Sequence, residues 1–298
     1  STPILYYNKT AFKAAGLDPN TPPKTLTEVE TMAKKLLKKD ASGKVIQYGY
    51  AMPIYAWFFE QFMIKQGKNY ANNGNGRTGA ATTVEYNKNG GGLTVLNEWK
   101  KLVDSGDVGN FGRKTQDTQN AFMAGNTAMY LDSTASLSSV LTGVNKKFEV
   151  GTGFLPKVNS TDKGGVSIGG ASLWIMNKKD EAKQQASWEF LKFMVSAKEQ
   201  AYWNANTGYF PVNKQAYNLK EVKDNLVKYP QFQTAIDQLH ASTPDSKGAL
   251  LGVFPEARAA TETNIESMLG GKQTPQEALD NAAKTANSAI EKYNKTNK

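Results

Sequence analysis

The chain has 298 residues, 39% of them hydrophobic and 10% aromatic, and a formal net charge of +9. That length favours two lobes sharing a cleft, and the apolar content excludes a disordered chain. Cysteine is absent, which excludes disulfides, thiolate metal sites and a cysteine nucleophile.

Ile4-Leu5-Tyr6-Tyr7 reads as a buried strand running into a short helix from Asn8-Lys9-Thr10-Ala11-Phe12, ended by Gly16. After Pro22-Pro23 the next helix carries Val29, Met32, Ala33, Leu36 and Leu37 at helical spacing, with Thr25 or Thr27 as its cap. Residues 48–53 read as a second strand, and Tyr55-Ala56-Trp57-Phe58-Phe59-Glu60-Gln61-Phe62-Met63 starts a strongly aromatic helix. Trp57 there lines a cleft or packs in the core. The Gly/Asn-rich residues 71–80 form a surface loop, and residues 87–92 introduce a helix containing Leu93, Leu96, Trp99 and Leu102.

Residues 118–133 read as helix, Gly125 stop and strand. Ser133 falls at the strand's carboxyl end, the end that faces the ligand crevice in open α/β sheets. A helix over 135–141 and a strand over 148–155 follow. Gly169-Gly170 then opens a short apolar strand in which Trp174 packs, and Thr207-Gly208-Tyr209-Phe210-Pro211 closes the helical region beyond it. The glycine pair lets the backbone approach a ligand closely, and a tyrosine on a Gly/Pro-framed turn is well set to point its hydroxyl into a cleft. Trp188 and Trp203, spaced helically with Phe190, Leu191 and Phe193, read as core. The last third is helical over 181–196, 198–206, 218–228, 231–240, 256–269 and 275–293. Strands interleaved with helices early and a helical finish give an α/β sheet wrapped by helices.

His240 is the sole histidine, near a helix end, with no second histidine or cysteine for a metal site, and no Gly-x-Ser-x-Gly elbow occurs. Neither glycine run is followed by Gly-Lys-Ser/Thr, as a phosphate-cradling loop requires. Dispersed lysine pairs such as Lys34-Lys35 and Lys100-Lys101 read as solvated helix faces rather than a nucleic-acid or membrane patch. No run reaches the ~18 apolar residues of a bilayer span, and the first residues lack the regions of a signal peptide.

Four stretches carry a resemblance: Pro3-Ile4-Leu5-Tyr6-Tyr7-Asn8-Lys9; Phe122 with Gly125-Asn126-Thr127-Ala128-Met129; Gly169-Gly170-Ala171-Ser172-Leu173; and Thr207-Gly208-Tyr209-Phe210-Pro211-Val212. They resemble the extracellular solute-binding proteins of ABC importers, family 1, and Gly271-Lys272-Gln273-Thr274-Pro275 looks like the start of that family's closing helix. Gly112-Arg113-Lys114 and Leu251-Gly252 with Pro255 and Arg258 favour the branch that binds glycerol 3-phosphate over the maltose-type relatives.

The resemblance implies a type II periplasmic-binding-protein fold, α/β, with two lobes joined by a hinge and the N-terminal lobe largely missing from this chain. Residues 1–166 and 212–298 would form most of the C-terminal lobe. Residues 167–211 would belong to the N-terminal lobe and the hinge crossings, so residues 167–209 should expose apolar surface here. Carried over residue by residue, the ligand contacts fall on Ser1, Ser133, Gly170, Tyr209 and Arg258. Arg258 suits a phosphate, because its planar guanidinium offers two parallel donors and keeps its charge. Leu26 stands where the branch has a pocket-lining tryptophan, and the smaller side chain would leave room for a glycerophosphodiester such as glycerophosphocholine.

The implied partners are a small phosphorylated glycerol ligand and the permease subunits of an ABC transporter. The protein would act as a monomer, without metal or cofactor, in the periplasm or outside the cell, a surface lipoprotein being one form. Two other functions stay open at this point: a sugar or oligosaccharide ligand on the same fold, and an enzyme on a two-lobe α/β scaffold.

Overall fold

The computed structural model describes residues 1–177 and 179–297. Its seven strands are β1 (Pro3–Asn8), β2 (Lys38–Lys39), β3 (Val45–Gln47), β4 (Tyr50–Ala51), β5 (Val108–Gly109), β6 (Met129–Ser133) and β7 (Val150–Phe154). β1 is buried at all six positions, as expected of a strand flanked on both edges and covered on both faces. It runs antiparallel to β6 and to β7, while β4 runs parallel to β5 and β6. The order is β5-β4-β6-β1-β7, and β2 and β3 form a separate hairpin.

Period-two alternation along β1 divides the interior. Leu5 and Tyr7 join a large core with Phe58, Phe62, Trp99, Ala257 and Leu279. Ile4 and Tyr6 join a smaller one with Phe122, Tyr130, Leu137, Val140 and Phe232. Both cores mix residues from before position 166 and after position 212. The helix Ala56–Lys65 is buried along its whole length, which explains its apolar run from Trp57 to Ile64. The helices Phe254–Leu269 and Pro275–Thr296 pack against each other, and the second starts with a capping box between Thr274 and Glu277. Thr25 caps the helix Leu26–Leu36, accepting from the Glu28 N–H at 3.1 Å.

The edge of β7 is closed by side chains rather than by another strand. Gln231 donates to the Val150 carbonyl at 2.8 Å, and Gln238 accepts from the Leu155 N–H at 2.6 Å. Such cover removes a free edge that would otherwise template intermolecular pairing.

Three expectations fail in one region. Residues 171–177 form no strand, although the glycine pair and apolar run suggested one. Trp174 is 85% exposed rather than packed, and Trp188 and Trp203 are 49% and 48% exposed rather than in a core. The helix Glu181–Met194 buries none of its residues. Strand and helix patterns are completed only by a facing surface, and among the described residues nothing buries any position of 171–177 or 181–194, while the helix that holds Trp203 buries only Ala201 and Asn204. The exposure of apolar side chains over residues 167–209 is itself what the family resemblance leads one to expect. The strands β2, β3 and β5, two or three residues each, carry no sequence signal long enough to read.

Candidate ligand-binding cavity

The antiparallel register of β1 and β6 brings the start of one strand to the end of the other, pairing Pro3 with Ser133. Beyond the ladder the two chains stay linked: the Thr134 N–H donates to the Thr2 carbonyl at 2.9 Å, and the Thr2 N–H to the Thr134 hydroxyl at 3.1 Å. Ser133 accepts the Ala135 N–H on its Oγ at 3.1 Å, capping the turn Thr134–Ser136. Its O–H is left to donate elsewhere.

Ser1 extends the pairing to the glycine segment. Its nitrogen donates to the Gly169 carbonyl at 3.0 Å, and the Gly169 N–H returns a bond to the Ser1 carbonyl at 2.8 Å. Gln61 clasps the neighbouring residue, its side-chain amide donating to the Ser167 carbonyl at 3.2 Å and accepting the Ser167 N–H at 3.0 Å. Gly169 has no room for a side chain, since a Cβ would lie 2.8 Å from Cζ2 of Trp57. Gly170 has φ of +126°, which L side chains rarely adopt, and the Tyr209 ring would lie 3.5 Å from its Cβ.

Arg258 projects from the helix Phe254–Leu269. Its Nε and Nη2 donate to Oε1 and Oε2 of Glu60 at 2.6 and 2.7 Å, a two-point pair. Its guanidinium carbon lies 4.9 Å from the centre of the Phe254 ring. Burial pushes the Glu60 carboxyl up, while the hydrogen bonds from Arg258 pull it back. The bond to Glu60 raises the already strong base Arg258 further. The neighbouring Glu262 accepts the Ala56 N–H at 2.9 Å, at the positive end of the helix Ala56–Lys65.

These groups surround one cavity of about 1180 Å³. Ser1, Ser133, Gly170, Tyr209, Arg258 and Trp57 all line it. Trp57 also packs with the core and is 8% exposed, so it does both jobs considered for it. Leu26 is the exception: it is 1% exposed in the large core and does not line the cavity. It is buried in the same core as Leu5 and Tyr7 of β1, so the argument for extra ligand room from a smaller residue there does not apply to this cavity.

The cavity also takes side chains that the sequence did not single out as binding residues: Tyr55, Gln61, Arg113, Asp132, Phe254 and Glu262. Glu60 carried a readable signal, because a lone carboxylate inside an apolar helix must find a partner. Asp132 is buried beside Ser133, whose N–H it accepts at 2.7 Å, and burial pushes its carboxyl up to about 6. Arg113 pairs with Glu266 at 2.6 Å. His240 ends the helix Gln231–His240, as expected. Among the described residues no group of acidic or histidine side chains is arranged to hold a metal.

Residues 1–234 match the family model described as bacterial extracellular solute-binding protein. Over its whole length the chain is 36% identical to the sn-glycerol-3-phosphate-binding periplasmic protein UgpB of Escherichia coli (strain K12), covering 67% of that protein. The UgpB of Pectobacterium atrosepticum is equally similar, at 36% identity with 66% covered. The chain thus spans about two thirds of the length of these relatives. By fold it is similar to UgpB from Mycobacterium tuberculosis in complex with glycerophosphocholine (TM-score 0.78, 22% identity, 99% of this chain and 70% of that one). It is also similar to the maltose/maltodextrin-binding domain MalE from Bdellovibrio bacteriovorus bound to maltotriose (TM-score 0.76, 22% identity, 97% and 70%). Its mixed α/β architecture is that of the periplasmic binding proteins, and the chain belongs to the bacterial extracellular solute-binding proteins, the ligand-capturing components of ABC importers.

Proposed function

We propose that the protein captures sn-glycerol 3-phosphate or a glycerophosphodiester outside the cytoplasm and delivers it, as a monomer, to the permease subunits of an ABC importer. One observation carries this reading: an arginine, three hydroxyl-bearing residues and a glycine with positive φ line the same cavity. Arg258 keeps Nη1 without a protein partner among the described residues, so it can donate to a phosphate oxygen while Glu60 holds its other edge. Ser1, Ser133 and Tyr209 can serve the remaining phosphate oxygens and the glycerol hydroxyls, and the Gly170 backbone can approach unobstructed. The names of the relatives at 36% identity support the same ligand class.

Capture works by lobe closure in this reading. Residues 1–166 and 212–298 form one lobe, and residues 167–211 cross the hinge into the other. Binding energy that exists only in the closed form drives the population toward it. No catalytic step is part of the reading.

A carbohydrate ligand is the second reading, favoured by the rings of Tyr55, Trp57 and Phe254 along the same wall. Calorimetry on the full-length protein separates the two. Arg258→Ala should weaken glycerol 3-phosphate binding about a hundredfold, with no affinity for maltotriose in either form. Unchanged phosphate affinity in Arg258→Ala, or sugar binding alone, would overturn the phosphate reading.

A further inference from the structure

A chain with a net charge of +9 might be expected to surround a phosphate with cations, yet its cavity does not. The charged side chains lining it are Arg113, Lys114 and Arg258 against Glu60, Asp132 and Glu262, three of each sign. Arg258, the cation best placed for a phosphate, already shares its charge with Glu60 through two short hydrogen bonds. Glu60 comes from the buried helix Ala56–Lys65, its side chain only 11% exposed, so water does little to screen it from whatever Arg258 binds.

We propose that Glu60 is a specificity-determining residue: by neutralising Arg258 it makes the cavity accept a phosphodiester, with one negative charge, in preference to a phosphomonoester, with nearly two. The inference rests on the phosphate-ligand reading above and narrows it to a substrate class. A monoester ionises a second time near pH 6, so at pH 8 it carries about two charges. The first is matched by the donors of Arg258. The second meets Glu60, two bonds of the guanidinium away, and among the described residues lining the cavity the remaining cations are Arg113, paired with Glu266, and Lys114. A diester oxygen presents no such charge.

The test compares two ligands that differ in charge and by one methyl group, sn-glycerol 3-phosphate and its methyl phosphodiester, by calorimetry at pH 8 on the full-length protein. The wild type is expected to bind the diester about tenfold more tightly. In Glu60→Gln, which keeps one acceptor and removes the charge, that ratio should fall to about one, chiefly through tighter monoester binding. Glu60→Asp, shorter but still charged, should weaken both ligands and keep the preference. A side chain that merely held Arg258 in place would weaken both ligands in the same proportion when replaced by Gln, and that result overturns the proposal. A wild type that prefers the monoester overturns it without any variant. If both ligands bind but their ratio ignores Glu60, only the Glu60 inference falls. If neither binds, the phosphate reading falls and takes this inference with it.

Discussion

Gly208 and Thr134 stand so close that a Cβ on the glycine would lie 2.0 Å from the threonine's carbonyl oxygen and 2.9 Å from the Leu137 Cβ. This contact docks the turn carrying Tyr209 onto the end of β6, helped by the bond from the Ser138 N–H to the Thr207 carbonyl at 2.7 Å. Gly208→Ala must break the contact and strain a φ of +148°. It should lower stability by about 2–4 kcal/mol and displace Tyr209 from the cavity. Thermal unfolding and ligand calorimetry read the two effects separately.

Arg258→Lys preserves the charge that Glu60 needs but cannot reproduce the two-point pair. The fold should persist, with ligand affinity reduced about tenfold to a hundredfold. A fully retained affinity would mean that the guanidinium geometry is irrelevant to binding.

Asp132 makes stability pH-dependent with a definite sign. Its folded pKa of about 6 lies above the ordinary 3.8, because burial disfavours the carboxylate. The folded state therefore binds the proton more tightly than the unfolded state. Stability is greatest from this group below pH 3.8, declines as pH rises toward 6, and above that stays lower by about 3 kcal/mol. Asp132→Asn, which keeps an acceptor for the Ser133 N–H, should flatten that decline and raise the unfolding temperature at pH 7. Denaturant unfolding at pH 4, 5, 6 and 7 would expose an unchanged slope.

Thr274→Ala removes the hydroxyl that accepts the Glu277 N–H and bonds the Glu277 carboxylate. The loss should be about 1 kcal/mol, with ligand affinity untouched, because this cap lies at the start of a helix outside the cavity.

The sequence carried the parts of this fold whose signals are local. The strand Pro3–Asn8 and the helices Gln231–His240 and Pro275–Thr296 follow from apolar periodicity and capping residues, and they lie within a few residues of expectation. Ser133 at a strand's carboxyl end and Tyr209 on its turn were legible for the same reason. Arg258 was legible only through family resemblance, since an arginine on a helix is usually a surface residue. Its pairing with Glu60 depends on two helices nearly two hundred residues apart, which no spacing rule encodes. Leu26 carried a cleft role only through the resemblance, and in this fold it is buried in the large core instead. Trp174, Trp188 and Trp203 misled differently: their apolar pattern is genuine, but the pattern states only that a surface wants covering.

The helix Glu181–Met194 has 14 residues, none of them fully buried, near the roughly 12–15 residues at which an isolated helix is marginal in water. Its Asp180 cap, which accepts the Lys183 N–H at 3.1 Å, adds about 1 kcal/mol. Its helicity is therefore set by whatever lies against Trp188, Phe190 and Phe193. That makes the segment a gauge of its own surroundings: far-ultraviolet ellipticity, and the emission maximum of a variant that keeps Trp188 as its sole tryptophan, would register any surface that comes to cover it before any ligand is added.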